Sequence, residues 1–331
     1  MARTTPPRPV DVLAHFPELT PHARTTVRLH PRAGAPTTGD SSIGGPLLWP
    51  ADEPWPTCPD HSGPWQRGVV PDDVRLRRRI LDEAWSRPRA DGADLLTAEE
   101  RVIVDRAEKR RRVPQENDEA LMVPVAQLYA RDVPGLPRPD GRDVLQVLWC
   151  AADHAGDYLP RTVLRWRTAT DVTERLAATP QPSVIGKGNF LPEPCVLHPE
   201  QVTEYPAPHE LPEELADRIE AWEDSQGVVY QYDLAVAPGC KVAGHAPWSF
   251  TDPFPMACAE CGSDVMPLLY VKGSEWDGGS LSWRPVEDVD RTGPGLRRPG
   301  NATQLTIGRG YGMQIYLCTA SYDHPHLQNL Q

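Results

Sequence analysis

Four phenylalanines and five methionines are all that a chain of 331 residues contains, and its hydrophobic share, 39%, is low for a globular protein. No run approaches the ~18 consecutive apolar residues of a membrane span, so none is expected. The opening residues, MARTTPPRPVDVLAHF, lack the apolar stretch of a secretory signal. Seven cysteines are an odd number. Without an export signal they fit a reducing, cytoplasmic setting better than a disulfide framework. The Asn301-Ala-Thr303 sequon is then without consequence.

Positive charge is also in deficit, with 34 basic against 46 acidic residues and a formal charge of −12. That balance makes broad affinity for nucleic acid or anionic membrane unexpected. One stretch departs from it: between Arg75 and Arg112, 12 basic residues meet 8 acidic ones, a net +4. Opposite charges interspersed along a helix usually mark a solvated face, which is the preferred reading over a nucleic-acid patch. Familiar catalytic strings are missing as well. No Gly-x-Ser-x-Gly elbow or His-Glu-x-x-His helix occurs. GRGYG at 308–312 leads into a strand pattern, and IGKG at 185–188 lacks the phosphate-loop spacing.

Proline is abundant instead, at 38 residues, against a usual share of about 5%. It is unwelcome in helix interiors and central strands, so the chain should be rich in short strands and loops. Strand-like runs appear at 25–30, 122–130, 143–151, 161–168 and 194–205. Helical signals are few. Thr97-Ala-Glu-Glu100 has the capping-box form and predicts a helix from about Ala98 to Arg112. Leu211 to Asp224 is amphipathic, with Leu215, Ile219 and Trp222 on a face expected to pack on a sheet.

The strongest pattern is an internal echo. Ile43 to His61 and Val242 to Cys261 share Gly45/Gly244, Trp49/Trp248, Asp52/Asp252 and Pro54-Trp55-Pro56/Pro253-Phe254-Pro255. VMPLLYVKG at 265–273 then echoes MVPVAQLYA, and YGMQIYLCTA at 311–320 echoes DVLQVLWCAA, down to Cys318 against Cys150. Three features in one order indicate duplication. The expected fold is therefore mostly β (α+β), two pseudo-symmetric β-sheet halves with a helical charged insertion. Residues 1–24 read as a lead and 25–320 as one domain, with halves at 25–170 and 225–320. The insertion covers 66–120, a linker with a helix 171–224, and a tail 321–331.

The Ser42-Ile-Gly-Gly-Pro46 opening, Trp55-Pro56, Gln127-Leu128, Leu145-Gln-Val-Leu148 and the late Gly-rich hairpin resemble the YwqG-like family of bacterial proteins. The resemblance runs from about 25 to 320, apart from the insertion. It implies a mostly β fold of two related halves and carries no activity, cofactor or catalytic residue.

Metal chemistry comes from the ends of the echo. Cys258-Ala-Glu-Cys261-Gly262 has the form of a zinc knuckle, and Cys58-Pro-Asp-His61 holds the same spacing at the equivalent place. Combined, Cys58, His61, Cys258 and Cys261 give a Cys₃His set, expected to hold one structural zinc at the join of the halves. Cys150 and Cys318, each at the end of an apolar run, read as small core residues. A redox dithiol at Cys258/Cys261 is disfavoured because Pro267 leaves no room for the helix such motifs need. A Cys58/His61 nucleophile and base lacks an orienting third group.

The expected role is binding or interaction with a protein or peptide partner. An alternative is a metal-dependent hydrolase with an open zinc site, drawing on His245, His324 or His326. A second alternative is nucleic-acid binding through the basic insertion. Ten tryptophans among loop prolines can line a peptide groove, although capping of sheet ends is the preferred reading.

Overall fold

Val123–Tyr129 and Val144–Trp149 are buried at every position, so their near-continuous apolar runs lie inside the protein with both faces covered. A computed structural model describes residues 2–61, 67–90, 92–115, 118–154, 159–289 and 299–331. Its strands, in chain order, are β1 (Arg24–Arg28), β2 (Arg32–Ala33), β3 (Ser42–Ile43), β4 (Val123–Tyr129), β5 (Val144–Trp149) and β6 (Thr162–Arg167). The second set comprises β7 (Cys195–Val196), β8 (Glu200–Glu204), β9 (Lys241–Ala243), β10 (Val265–Lys272), β11 (Gly312–Cys318) and β12 (Leu327–Leu330). Helices are α1 (Val12–His15), α2 (Pro71–Ser86), α3 (Ala98–Lys109) and α4 (Glu213–Gln226).

The strands form two antiparallel six-stranded sheets, ordered β12-β11-β10-β9-β1-β8 and β6-β5-β4-β3-β7-β2. Subtracting six from each strand number above six, and adding six to β1, converts the first order into the second. This is the α+β fold of two related sheets, but the halves interleave. Strand β1 sits between β9 and β8, and β7 sits between β3 and β2. The same tripeptide makes both crossings: Leu29-His30-Pro31 after β1 and Leu197-His198-Pro199 after β7. Proline supplies no amide to a ladder, so each strand ends there and the chain passes to the other sheet. The 194–205 run, expected as one strand, is for this reason two strands in different sheets.

The sheets share one core. Val27, Ile43, Val125, Val147, Leu269, Val271 and Ile315 belong to a single buried cluster. Matching bulges shift the registers of β4/β5 between Pro124 and Ala126 and of β10/β11 between Pro267 and Leu269. Each bulge turns two successive residues inward, Val125 with Ala126 and Leu268 with Leu269. The Gly44-Gly45 turn makes the close backbone approach that its sequence suggests. Gly44 has φ +78°, and a Cβ there would lie 2.8 Å from the Glu193 carbonyl oxygen.

Four segments outside the central strands are held as follows. The 66–120 insertion contains the antiparallel pair α2/α3, capping box included, yet it is not detached from the core. Arg78 of α2 is buried and donates to the carbonyls of Leu191, Gly188 and Gln304 at 2.8, 3.1 and 3.0 Å. Helix α4, expected to pack on a sheet, packs Leu215 and Ile219 against Val12, Phe16, Leu19 and Tyr230 in a cluster separate from the sheets' shared core. The lead is tied down: the Thr5 amide donates to Glu200 at 2.9 Å, and the Val286 amide to the Thr4 carbonyl at 3.0 Å. The 321–331 tail supplies β12. Among the described residues, no helix is long and apolar enough to cross a membrane.

Candidate metal centres

Two hairpins end in the same way. β5 runs out at Trp149, and Cys150 follows with its amide on the Arg161 carbonyl at 2.9 Å. β11 ends on Cys318 itself. Over each strand end lies the loop that follows the glycine/Trp/Pro segment of the same half. In the first half, Cys58 donates its amide to the Ala120 carbonyl at 2.9 Å, and Pro59–His61 form one tight turn. In the second, Gly262 takes φ +71°, and its amide donates to the Cys258 carbonyl at 2.8 Å. A knuckle of this shape points two side chains at one centre.

The outcome is two clusters. Cys58, His61, Cys150 and His154 form the first and Cys258, Cys261, Cys318 and His324 the second, with the donor atoms of each within 4.8 Å of one another. The single cross-half site built from Cys58, His61, Cys258 and Cys261 is thereby replaced. Each Cys-x-x-His or Cys-x-x-Cys pair is completed by its own half, because the loop and the strand end that meet belong to the same sheet. Cys150 and Cys318 are buried as expected, but they face these clusters. Of the histidines considered as extra ligands, His324 joins the second cluster. His326 hydrogen-bonds Thr162 at 2.6 Å, and His245 is buried with its Nε2 on the His22 carbonyl at 3.0 Å. His154 carried no sequence signal: it follows Cys150 by four residues, whereas His324 follows Cys318 by six.

The distances suit a metal. Donors held about 2.0–2.3 Å from a tetrahedral ion lie ~3.3–3.8 Å apart. Here Cys58 Sγ is 3.3 Å from His154 Nε2, Cys261 Sγ is 3.5 Å from Cys318 Sγ, and Cys318 Sγ is 3.4 Å from His324 Nδ1. Cys258 Sγ lies 3.6 Å from the same imidazole nitrogen. None of the seven cysteines is in a disulfide. An outer contact sets the first histidine: His154 Nδ1 is 3.0 Å from the Leu159 carbonyl, which it can only serve as donor, leaving Nε2 as the lone-pair nitrogen facing Cys58.

Protonation favours ligation too. A hydrogen bond from the Cys150 thiol brings Cys58 down to about 5, and the same bond, with burial, holds the Cys150 proton on. Burial keeps His61 below the usual imidazole range, in the neutral form that ligates. Hydrogen bonds from the Ser263 hydroxyl and amide bring the exposed Cys261 down to about 6. The remaining cysteines are unlike these. Cys195 and Cys240 lie in the shared core, and burial pushes Cys240 up to about 12.

The aromatic residues of the two segments also correspond. Trp49 and Trp55 lie 4.9 Å apart by ring centroids, and Trp248 and Phe254 5.7 Å. Trp49 is buried and packs with Cys58, Met122 and Cys150, which makes this pair a cap over the sheet end beside the cluster. On the insertion, basic residues are matched by acids: Arg87 with Glu100 at 2.7 Å, Lys109 with Asp105 at 3.0 Å and Arg110 with Asp73 at 3.5 Å.

No protein-family model matches the chain, and no curated protein matches it. What the clusters do must therefore come from their own chemistry.

Proposed function

We propose that the protein is a binding module whose two halves each carry one structural zinc, Cys₂His₂ in the first and Cys₃His in the second. The observation that carries this reading is the recurrence of a four-donor Cys/His cluster at the same place in both halves. Four protein ligands complete a tetrahedron and leave no position for water or substrate, which speaks for a structural metal over the open site of a hydrolase. Thiolate and imidazole donors in this mixture suit zinc. Each ion ties a Pro-rich loop that has no ladder of its own to a strand end, and so presents the Trp and Phe residues of that loop on a fixed frame. A protein or peptide partner would meet those loops. Kinship with the YwqG-like family, proposed on Ser42–Pro46 and Trp55-Pro56, extends to the two-half fold and not to the ligands.

Elemental analysis of protein purified without chelator tests the reading. About two zinc ions per chain are expected, with Cys150→Ser and Cys318→Ser each losing about one, and the double variant losing both. The melting temperature should fall with each loss. A zinc content unchanged by both single substitutions, or zinc lost only when Cys58 and Cys258 are changed together, would overturn it.

A further inference from the structure

Because the two halves correspond strand for strand, each can be used to ask what is missing from the other. The matching bulges fix the register: Gln127 of β4 stands where Tyr270 stands in β10, and Tyr129 stands where Lys272 does. In the first half this place is closed. The Gln127 side chain accepts from the Leu48 amide at 2.7 Å and donates to the Thr38 and Asp40 carbonyls at 3.0 and 3.1 Å. The Tyr129 hydroxyl donates to the Thr38 carbonyl at 2.6 Å. The 38–41 loop is thereby drawn over the strand ends.

The second half leaves the same place open. Tyr270 directs its hydroxyl to the Gln331 carbonyl at 2.9 Å, and Gln231 and Tyr232 of the Tyr230–Ala235 turn line the place instead of closing it. The result is a cleft of about 350 Å³, the size of a small-molecule site. Its walls include Tyr232, Tyr311, Pro238 and Pro247, with Lys272 and Arg309 as its cations. Phe250 lies against Tyr311, tilted by 49° at 4.4 Å between ring centroids.

The charges in the cleft are not balanced. Lys272 makes no hydrogen bond or ion pair through its ammonium with any described residue, although it is fixed on a central strand. Burial pushes that ammonium below its usual range, offset in part by the Asp277 carboxylate. Asp277 is itself engaged, its Oδ1 accepting from the Gly279 amide at 2.9 Å and the Ser280 hydroxyl at 3.0 Å. Arg309 sits exposed on the turn between Gly308 and Gly310. Holding an ammonium half-buried with only the nearby Asp277 charge to offset it, and no hydrogen bond to a described residue, costs free energy, which an incoming anion would return. In a chain of net charge −12, a cationic, aromatic-walled cleft is a local feature that long-range attraction cannot explain.

We propose that this cleft binds a small organic anion with a flat ring, its acidic group on Lys272 and Arg309 and its ring between the tyrosines and prolines. None of the lining residues belongs to a metal cluster, so zinc content and ligand binding can fail independently.

The test uses the zinc-loaded protein and two fluorescent probes that differ in one charged group, 8-anilinonaphthalene-1-sulfonate and the neutral N-phenyl-1-naphthylamine. Saturable binding of about one sulfonate per chain is expected. Lys272→Met should weaken the sulfonate about tenfold or more, and the neutral amine less than about twofold, since only the charge-assisted contact is lost. The melting temperature of Lys272→Met should not fall, because the charge removed is half-buried and makes no hydrogen bond to a described residue. Gly279→Phe, on the exposed rim where an added Cβ would meet Asp277 Oδ1 at an ordinary 3.6 Å, should block both probes and covers the case in which Lys272→Met does not fold. No saturable binding, equal weakening of both probes by Lys272→Met, or retention of both by Gly279→Phe would each overturn the proposal.

Discussion

At the scale of the residue, the molecule places ionisable groups where their surroundings fix one protonation state. His245 is the clearest case. It is buried, and burial brings its imidazole down to about 4, the charges of Arg24 and Lys241 acting in the same direction against the helpful His22 carbonyl. Glu204, which accepts from the His245 amide at 2.9 Å, is occupied by Lys241. A folded-state value depressed below the unfolded one means that, between about 6.5 and 4, the unfolded chain takes up a proton that the folded chain refuses. Stability from this group is complete above pH 6.5 and declines as the pH falls toward 4, by up to about 3 kcal/mol. His245→Gln keeps a donor for the His22 carbonyl and should flatten this part of the profile. Urea midpoints at pH 7 and pH 4.5 check it: an unchanged difference between wild type and variant would exclude His245 as the source. Residue types also explain how much of the candidate site could be read in advance. Cys58, His61, Cys258 and Cys261 announce themselves by two-residue spacing. Cys150 and Cys318 end apolar strands and look like core, and His154 and His324 lie in irregular turns at unequal distances from them. Only the folded hairpins bring each set of four together.

At the scale of the element, short-range rules account well for helices and less well for how they dock. The Thr97/Glu100 capping box is present, with the Glu100 amide on the Thr97 hydroxyl at 3.2 Å and the Thr97 amide on the Glu100 carboxylate at 2.9 Å, and α3 starts where it should. What periodicity cannot distinguish is which arginine of the RLRRR run turns inward. Arg78 does, and its guanidinium serves three carbonyls and Glu193 at 3.2 Å, joining α2 to the segments around Gly188 and Gln304. Arg78→Met would fill the volume and orphan those carbonyls in a buried place. The expected loss is about 3 kcal/mol or more, against a much smaller one for breaking an exposed, solvent-screened pair such as Arg87–Glu100 by Arg87→Met. Chemical denaturation of the two variants side by side checks the contrast, and equal effects would mean that α2 is held by its apolar face alone. The same limit applied to the strands. Leu29-His30-Pro31 and Leu197-His198-Pro199 are a repeat in plain view, but β2 and β7 have two residues each, too few for an alternation pattern to show which sheet they join.

At the scale of the whole molecule, the exchange of β1 and β7 decides what can fold alone. A duplicated sequence can be divided into two domains only where each half completes its own sheet, and the strand order shows that neither does. The sheet of β8–β12 needs β1 between β9 and β8, pairing on both edges from Thr26 to Arg28, and the sheet of β2–β6 needs β7 between β3 and β2. A half expressed alone would bury its core face against nothing and leave a gap with two unpaired edges inside its own sheet. The crossing is also where charge is most deeply buried. Arg32 pairs with Glu275 and Asp288, while His30 contacts Glu275 and Glu200, residues drawn from both halves. Buried ions stripped of their partners are strongly destabilising, so separation would carry this penalty on top of the lost core. Cleaving the chain by design after Ala177, in an exposed stretch between the last strand of the first set and β7, therefore makes a definite prediction. Fragments 1–177 and 178–331 produced separately should lack dispersed amide spectra and a cooperative melt, whereas the pair produced together should co-purify as one folded complex. The zinc reading gives this experiment a further edge, because each metal set lies wholly within one fragment. If a lone fragment takes up zinc yet stays unfolded, the clusters are local staples and the exchanged strands are what make the two sheets one molecule. If a lone fragment folds cooperatively, the exchanged strand is dispensable and the interleaved order is not the source of the fold's cohesion.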